Sequence, residues 1–347
     1  MSAKSKQTTW IVVGVLALAF AATLGKTIAI GLVDGGPTKL LQTVVNTVAL
    51  GSMYALTALG YTLVYGVLRF INFAHSDVFT FGAWISFAIA SAFGWAVTES
   101  PLFAMPMILL LAMAACAALG VTIEALAYRP LRRAPRLNVL ITAIGVSLLL
   151  QNVGQLKFVF GTQPQHMPAL IHDSSLVEIS GVHIRVVDVT VVLLAAILLV
   201  ALEALVYRTK LGRAMRATSQ NPQVARLMGV NTDQIISITF VIGAGLAAIA
   251  GVMVSAYYHL AHHLMGSMLG LKAFTAAVLG GIGNLAGAMM GGILLGIIES
   301  LGAGYIGDLS GGFFGSHYQD VFAFLVLIVV LVFRPSGLFG ERVSERA

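Results

Sequence analysis

Four polar side chains stand close together in an otherwise apolar stretch, "INFAHSDVF", and their types could do chemistry. Imidazole, hydroxyl and carboxylate groups can pass protons or hold a cation, and polar groups within apolar helices usually face a bundle interior or a wet path. We consider two interpretations: the stretch lines a pathway or gate, or Asn72 caps a helix. A spacing of four would put the first and third on one helix face. These residues are Asn72, His75, Ser76 and Asp77.

A second group of ligand-type side chains lies in "HLAHH", with His259, His262 and His263. If this stretch is helical, the three imidazoles share one face, and imidazole is a common zinc ligand. Neither a cysteine nor an acidic residue lies nearby to complete such a set. A metal cradle and ordinary interfacial histidines are therefore the alternatives, and we predict no bound metal.

Motifs of the common enzyme classes are missing from the sequence. It has no complete phosphate-binding loop, no H-E-x-x-H, no G-x-S-x-G and no C-x-x-C. Glu124 and Glu203 precede Arg129 and Arg208, which predicts interfacial ion pairs rather than a proton relay. The single cysteine, Cys116, can form no internal disulfide. We predict a protein that is not an enzyme and needs no cofactor of its own.

The composition indicates which elements position these residues. Of 347 residues, 58% are hydrophobic and 10% are charged, whereas a soluble domain carries roughly 25% charged residues. Lipid must therefore be the solvent. Several apolar runs approach or exceed the about 20 residues of a spanning helix, and none alternates like a membrane strand. The runs are Trp10–Gly31, Leu40–Gly66, Phe73–Trp95, Pro106–Tyr128, Asn138–Phe158, Val186–Tyr207, Ile235–Tyr258 and Val321–Phe333. The predicted fold is all-α, a polytopic helical membrane protein.

A further apolar run, Leu269–Leu301, is interrupted by glycines in "GGIGNLAGAMMGG", Gly280–Gly292. This pattern predicts a broken helix pair and brings the total to about 8–10 membrane segments. Backbone groups freed at membrane depth must be covered by protein or by a water-filled cavity. The glycines could thus line a pathway, permit close helix packing, or do both. The candidate pathway residues here are Gly280, Gly281, Gly283 and Asn284.

Arginines in the loops predict the orientation, because Lys- and Arg-rich loops remain cytoplasmic. Tyr128–Arg136 and Tyr207–Ala217 each hold four basic residues and no acidic one. Two spans separate them, so Gly161–Arg185 is predicted to be external. Both termini are then cytoplasmic, and the confinement of the charge to loops argues against nucleic-acid binding. In this scheme Arg136, Arg334, Arg342 and Arg346 lie inside, while His172 and Asp308 lie outside.

The polar island "NPQVARLMGVN" predicts a separate short helix. Asn221 suits an N-cap, Pro222 the first helical position and Gly229 a left-handed end. A helix about 10 Å long is marginal alone, so it must pack against something else. Ala225, which is small and central, is the residue expected to approach a partner. The alternative is an ordinary structured loop.

Long collinear stretches of the chain resemble the permease subunits of branched-chain amino acid ABC importers, the first of their two related permeases. The resemblance covers roughly Gln42 to Gly340. It is carried by "GSMYALTALGYTLVYGVLRFINFAHSDVF", "AYRPLR", "NVLITAIGVSLLLQN", "LGRAMRATSQNPQVARLMGVNTDQII", "GLKAFTAAVLGGIGNLAGAMMGG" and "FRPSGLFG". The chain has Ser76 and Asp77 where the family usually has Gly and Glu.

The resemblance implies that the polar island is a cytoplasmic coupling helix, which docks on an ATPase subunit. Its residues would be Asn221, Pro222, Val224, Ala225, Arg226, Leu227 and Gly229. It also implies a second homologous permease subunit, two cytoplasmic ATPase subunits that use the ATP, and a periplasmic or external substrate-binding protein. The location implied is the bacterial inner membrane.

We therefore expect a permease subunit of an ATP-driven importer for branched-chain or other hydrophobic amino acids. Alternatives are an importer of urea, short amides or aromatic carboxylates, and an ion-coupled secondary transporter. Secondary transporters usually have discontinuous helices at matching positions of two repeats. Asn72–Gly82 and Gly280–Gly292 show only a weak similarity of this kind. One permease domain is expected over residues 1–347. Residues 1–39 would form an extra, uncleaved span with an external loop, and 40–340 the family-like core.

Overall fold

A computed structural model describes residues 36–95, 103–132, 134–171, 174–179, 181–302 and 318–340. Helices dominate these ranges, as predicted. They are α1 (Gly36–Leu68), α2 (His75–Ala92), α3 (Ala104–Ile123), a π turn (Glu124–Tyr128), α4 (Arg136–Gly154), α5 (Val186–Arg208), α6 (Lys210–Gln220), α7 (Pro222–Leu227), α8 (Thr232–Tyr258), α9 (Met265–Gly280), α10 (Leu285–Leu301) and α11 (Gln319–Phe333). The predictions for Trp10–Gly31, His172, Asp308, Arg342 and Arg346 lie outside these ranges.

Five helices in the described ranges are long and apolar enough to cross a membrane: α1, α3 with its π turn, α4, α5 and α8. Helices α9, α10 and α11 contain shorter apolar segments. Most of the apolar part of α1 and of α8 is buried, whereas less than a third of the apolar part of α3, α4 and α5 is buried. The two buried helices thus form the centre of the bundle, and the apolar outside suits contact with lipid. The polytopic helical fold class is confirmed.

Helices α1 and α10 approach each other closely through small residues. A Cβ added to Gly292 would lie 2.6 Å from the Ala55 nitrogen, and one on Gly296 would lie 2.7 Å from the Gly51 Cα. Larger side chains would separate the two backbones. Close contact of small residues is a main source of helix association in lipid, where apolar burial gives little.

Two short β-ribbons lie at one end of the bundle, which we call the loop end. Strand β1 (Gln165–His166) pairs with β4 (Leu260–Ala261), and β2 (Ser175–Ile179) pairs with β3 (Val182–Arg185), both antiparallel. The sequence pattern did not predict these strands. The β1–β4 pair connects the loop after α4 to the end of α8.

The opposite end, called the basic end, carries Arg129, Arg132 and Arg226 in mutual proximity. Here part of the basic loop predicted over Tyr207–Ala217 is instead helical, because α6 occupies Lys210–Gln220. The Thr209 hydroxyl caps α6 by accepting from Gly212 N at 3.0 Å. Met215 on α6 is buried with Val67 of α1 and Ile235 of α8.

Candidate functional site

The short helix predicted at the polar island is present as α7. The Asn221 Oδ1 accepts hydrogen bonds from Gln223 N at 3.0 Å and Val224 N at 3.1 Å. Pro222 is its first residue, and Gly229 has a φ of 85° in the left-handed region. The local prediction, including both ends of the helix, is confirmed.

Contrary to the expectation from sequence, the side chain of Ala225 does not point outward from α7. Its side chain is only 3% exposed, because α7 lies against α6 and the start of α8. The expectation that Ala225 meets a partner is therefore wrong, and its small size instead permits close seating on its own chain. Three apolar side chains point outward: Val224 at 51%, Leu227 at 86% and Met228 at 78% exposed. We call these three residues the outer apolar surface.

Arg226 connects α7 to the start of α8. Its Nη2 lies 2.9 Å from Asp233 Oδ1, and its Nε donates to the Thr232 hydroxyl at 2.6 Å. Asp233 Oδ1 also accepts from Nη1 of Arg132, which follows the π turn. Asp233 thereby joins two segments that are distant in sequence.

Glu124 is the buried end of this arrangement, with 0% of its side chain exposed. It pairs with Arg132, with Arg129 at 2.9 Å, and accepts from the Ser237 hydroxyl at 3.0 Å. The hydrogen bond and charge of Glu124 raise the pKa of Arg129. The predicted Glu124–Arg129 pair is confirmed. Among the described ion pairs, none joins Glu203 to Arg208, so that prediction is wrong.

We call Arg226, Asp233, Arg132 and Glu124 the charge chain. It leads into the π turn, whose last residue is Tyr128. The Tyr128 hydroxyl donates to Asn72 Oδ1 at 2.7 Å, and its ring stacks on Phe70 with centroids 5.2 Å apart. Single π turns within helices often occur at functional sites. Here the turn connects the charge chain to the polar stretch before α2.

Asn72 does not cap α2, so the capping interpretation is wrong. The helix begins at His75 after Ala74, without a side-chain cap. Asn72 precedes the helix, so it does not share a helix face with Ser76 as predicted. Its Oδ1 accepts from the Tyr128 hydroxyl instead of from the backbone of α2. Local spacing could not indicate this partner, because it is distant in sequence.

Helix α2 begins part-way along α1. The His75 ring fills the space that a Cβ on Gly60 would occupy, eight residues before α1 ends at Leu68, or about 12 Å at 1.5 Å per residue. His75 and Asp77 are both buried. Asp77 Oδ1 accepts from Gln151 Nε2 at 3.0 Å, whereas His75 Nε2 has no hydrogen-bond partner within the described ranges. Buried ionisable groups of this kind in a membrane bundle are functional candidates.

The helix break is confirmed but is shorter than the glycine-rich sequence, since only Gly281–Asn284 separates α9 from α10. The carbonyls of Leu279 and Gly280 accept from Leu338 N and Phe339 N, each at 2.9 Å. Protein thus covers the break, which favours the packing interpretation at this point. Gly283 lies against Gly66 of α1, so the break and His75 both flank the last turns of α1.

Two glycines of the break offer a matched pair of substitutions. Gly281 and Gly283 have φ of 108° and 100°, but a Cβ would lie 2.7 Å from Gly340 Cα at Gly281 and meet nothing within 4 Å at Gly283. Both valine variants carry backbone strain of about 1–3 kcal/mol, and only Gly281→Val adds a clash. We expect Gly281→Val to abolish uptake and lower the unfolding temperature in detergent well below that of Gly283→Val. Equal unfolding temperatures would contradict this account.

The histidine stretch is not helical, which removes the premise of the metal-cradle alternative. His259 ends α8 in a left-handed conformation with a φ of 52°, and β4 follows it. The His262 and His263 rings lie 4.3 Å apart. Burial, together with His262, lowers the pKa of His263.

A cluster that the sequence interpretation missed lies near the loop end. Lys272 Nζ is 2.5 Å from Glu299 Oε1 and 2.7 Å from Asp320 Oδ1. The Tyr54 hydroxyl donates to Glu299 Oε2 at 2.6 Å. The available signal was a lysine and a glutamate within apolar runs, since such residues are rare in membrane segments and usually face an interior or pair with one another.

Known proteins resemble this chain over most of its length. The family model described as "Branched-chain amino acid transport system / permease component" matches residues 43–331. The high-affinity branched-chain amino acid transport system permease protein BraD of Pseudomonas aeruginosa is 40% identical over 313 residues, which cover 88% of this chain and 97% of BraD. LivH of Escherichia coli K12, with the same description, is 39% identical over 316 residues, with coverage of 88% and 97%. The probable permease LivH of Methanocaldococcus jannaschii is 28% identical over 324 residues, with coverage of 88% and 94%. No solved structure matches the chain.

Proposed function

The chain belongs to the family of branched-chain amino acid transport permeases, and from this premise we propose that it forms the membrane pathway of an ATP-driven importer. It is a transport subunit and not an enzyme. The proposed substrates are branched-chain and other hydrophobic amino acids. The observation that supports them is the near full-length similarity to BraD and LivH, whose names state branched-chain amino acid transport.

The proposed partners are two ATPase subunits, a second permease subunit and an external substrate-binding protein. The outer apolar surface supports the first of these. Val224, Leu227 and Met228 are exposed apolar side chains beside Arg226, and exposed apolar patches commonly mark protein contacts. Leu227 and Met228 would enter a groove of the ATPase subunit.

A continuous series of contacts supports coupling between this surface and the membrane interior. The backbone of α7 carries both the outer apolar surface and Arg226, the first member of the charge chain. The charge chain ends at Glu124, and the π turn then leads to Tyr128 and its bond to Asn72. His75 follows three residues later at the start of α2. Movement of α7 on the ATPase would thus reorient the start of α2.

The proposed orientation has the basic end in the cytoplasm and the loop end outside the bacterial inner membrane, with both chain termini cytoplasmic. It is supported by the arginine bias of the loops and by the location of α7 at the basic end. An ATPase that uses cytoplasmic ATP can reach α7 only in this orientation.

Cysteine labelling tests the orientation, since Cys116 is buried and can be replaced by alanine. In that background we expect Gln163→Cys, which is at an exposed position near β1, to react with a membrane-impermeant reagent in spheroplasts with an intact inner membrane. We expect Arg136→Cys at the start of α4 to react only after permeabilisation. Labelling of Arg136→Cys in sealed spheroplasts would contradict the proposed orientation.

A competition experiment tests the substrate class. Proteoliposomes containing the complete transporter should take up leucine, and isoleucine or valine in excess should block that uptake. Urea, acetamide and benzoate should leave it unchanged. Block by one of those three compounds, with no effect of the amino acids, would instead support the alternative importer.

A further inference from the structure

A cavity of about 340 Å³ opens near the loop end, bounded by α1, the end of α8, α9 and α10. This volume is at the lower end of the roughly 300–1,000 Å³ typical of small-molecule pockets, so it suits a single small metabolite. Its walls are mainly apolar or aromatic, and its charged groups lie together on one side. The lining residues are Leu50, Tyr54, Tyr258, Leu269, Lys272, Glu299 and Ser300.

Among the described residues, the charges at and beside this cavity do not balance. The Lys272 ammonium faces two carboxylates, those of Glu299 and Asp320. An ammonium has three donors, and the two carboxylates account for two of them. Tyr54 occupies the second oxygen of Glu299. Lys272, Glu299 and Asp320 together therefore carry one excess negative charge, which a cationic group can neutralise. The third N–H of Lys272 can donate a hydrogen bond to an anionic group.

We infer that this cavity binds the zwitterionic head group of an aliphatic α-amino acid, an inference that rests on the proposed function. The amino acid's ammonium would lie against the carboxylate of Glu299, which lines the cavity, and Asp320, which pairs with Lys272 from outside the wall, would supply the second negative charge. Its carboxylate would accept the remaining donor of Lys272. Its side chain would contact Leu50 and Leu269, which are the apolar part of the wall.

A purely structural role, in which the ion pairs only hold the helices together, would also place Lys272 between Glu299 on α10 and Asp320 on α11. The two roles differ in one respect, because only a binding site changes the accessibility of the cavity when an amino acid is added. Ionisable groups within membrane segments occur in both settings, so accessibility is the decisive measurement.

The test uses Ser300→Cys and Leu269→Cys as separate reporters on two parts of the wall, each in the Cys116→Ala background of the assembled transporter. A small water-soluble methanethiosulfonate labels the cavity in proteoliposomes. Leucine at ten times its Kd should slow labelling of either reporter by roughly tenfold, because only about one site in eleven is then free. Isoamylamine and 4-methylpentanoate, each with one of the two charges, should protect far less.

The control is Gln163→Cys, which is at the same end of the bundle but outside the cavity and should react equally with and without leucine. The site is supported if leucine protects both reporter cysteines from labelling and the two compounds with a single charge do not. Unchanged labelling in proteoliposomes that take up leucine overturns the site and leaves the proposed function intact. Absence of both leucine uptake and protection overturns both.

Discussion

Replacement of Leu227 by aspartate is expected to separate the permease from its ATPase subunits without unfolding it. Leu227 is 86% exposed, so its loss removes little packing within the chain. In the docked complex the same position would place an unpaired carboxylate in an apolar contact, at a cost of several kcal/mol. That is more than a hundredfold in affinity at 1.4 kcal/mol per decade. Co-purification of the ATPase and leucine uptake are the measurements, and both should be lost.

Two other positions on α7 serve as controls for Leu227→Asp. Gln223 is exposed and polar, so Gln223→Glu should stay within about 0.5 kcal/mol of the parent in stability and keep its ATPase. Ala225→Glu should instead lower the detergent stability of the permease itself, because that side chain is seated on its own chain. Normal ATPase association in Leu227→Asp would show that the outer apolar surface does not dock.

Replacement of Glu124 by glutamine is expected to uncouple ATP hydrolysis from transport. Glutamine has nearly the same size, but it removes the charge that Arg129 and Arg132 share. Hydrogen bonds to charged groups contribute about 1.5–3 kcal/mol. The charge chain would then break at its buried end while the outer apolar surface is untouched. We expect the ATPase to remain bound and active, and leucine uptake to fall by roughly tenfold or more.

The quantity to measure for Glu124→Gln is the number of ATP molecules hydrolysed for each leucine transported, which should rise. Thr122→Val is the matched control, because Thr122 lies two residues away and is exposed, and among the described residues its hydroxyl bonds only the Ala118 carbonyl of its own helix, at 2.9 Å. That variant should keep the parental ratio. A parental ratio in Glu124→Gln would exclude the charge chain from coupling.

The local parts of the candidate site could be predicted from sequence because short-range rules govern them. The ends of α7 follow from the side chain of Asn221, the fixed φ of Pro222 and the backbone freedom of Gly229. The Glu124–Arg129 pair spans only five residues. The glycine interruption between α9 and α10 likewise reflects backbone preferences at the break itself.

Contacts between distant segments could not be predicted in this way. Arg132 and Asp233 are 101 residues apart, and Tyr128 and Asn72 are 56 apart, so spacing gives no signal for either contact. The orientation of Ala225 depends on how α7 sits on α6 and α8, which the two-turn sequence does not encode.

Helix α6 was missed for a different reason. Its arginines predict a loop, whereas its short apolar stripe, Leu211 and Met215 four residues apart, indicates a helix that lies on the bundle. The strands β1 and β4 have two residues each, too few for alternation to be recognised.

The energy source of transport tests the central claim most directly. Proteoliposomes containing the permease, its ATPase subunits and the binding protein should accumulate leucine when ATP is enclosed with the ATPase, and uptake should continue after ionophores collapse all ion gradients. Leucine uptake that does not depend on ATP and that stops when ionophores are added would contradict the account and identify an ion-coupled secondary transporter.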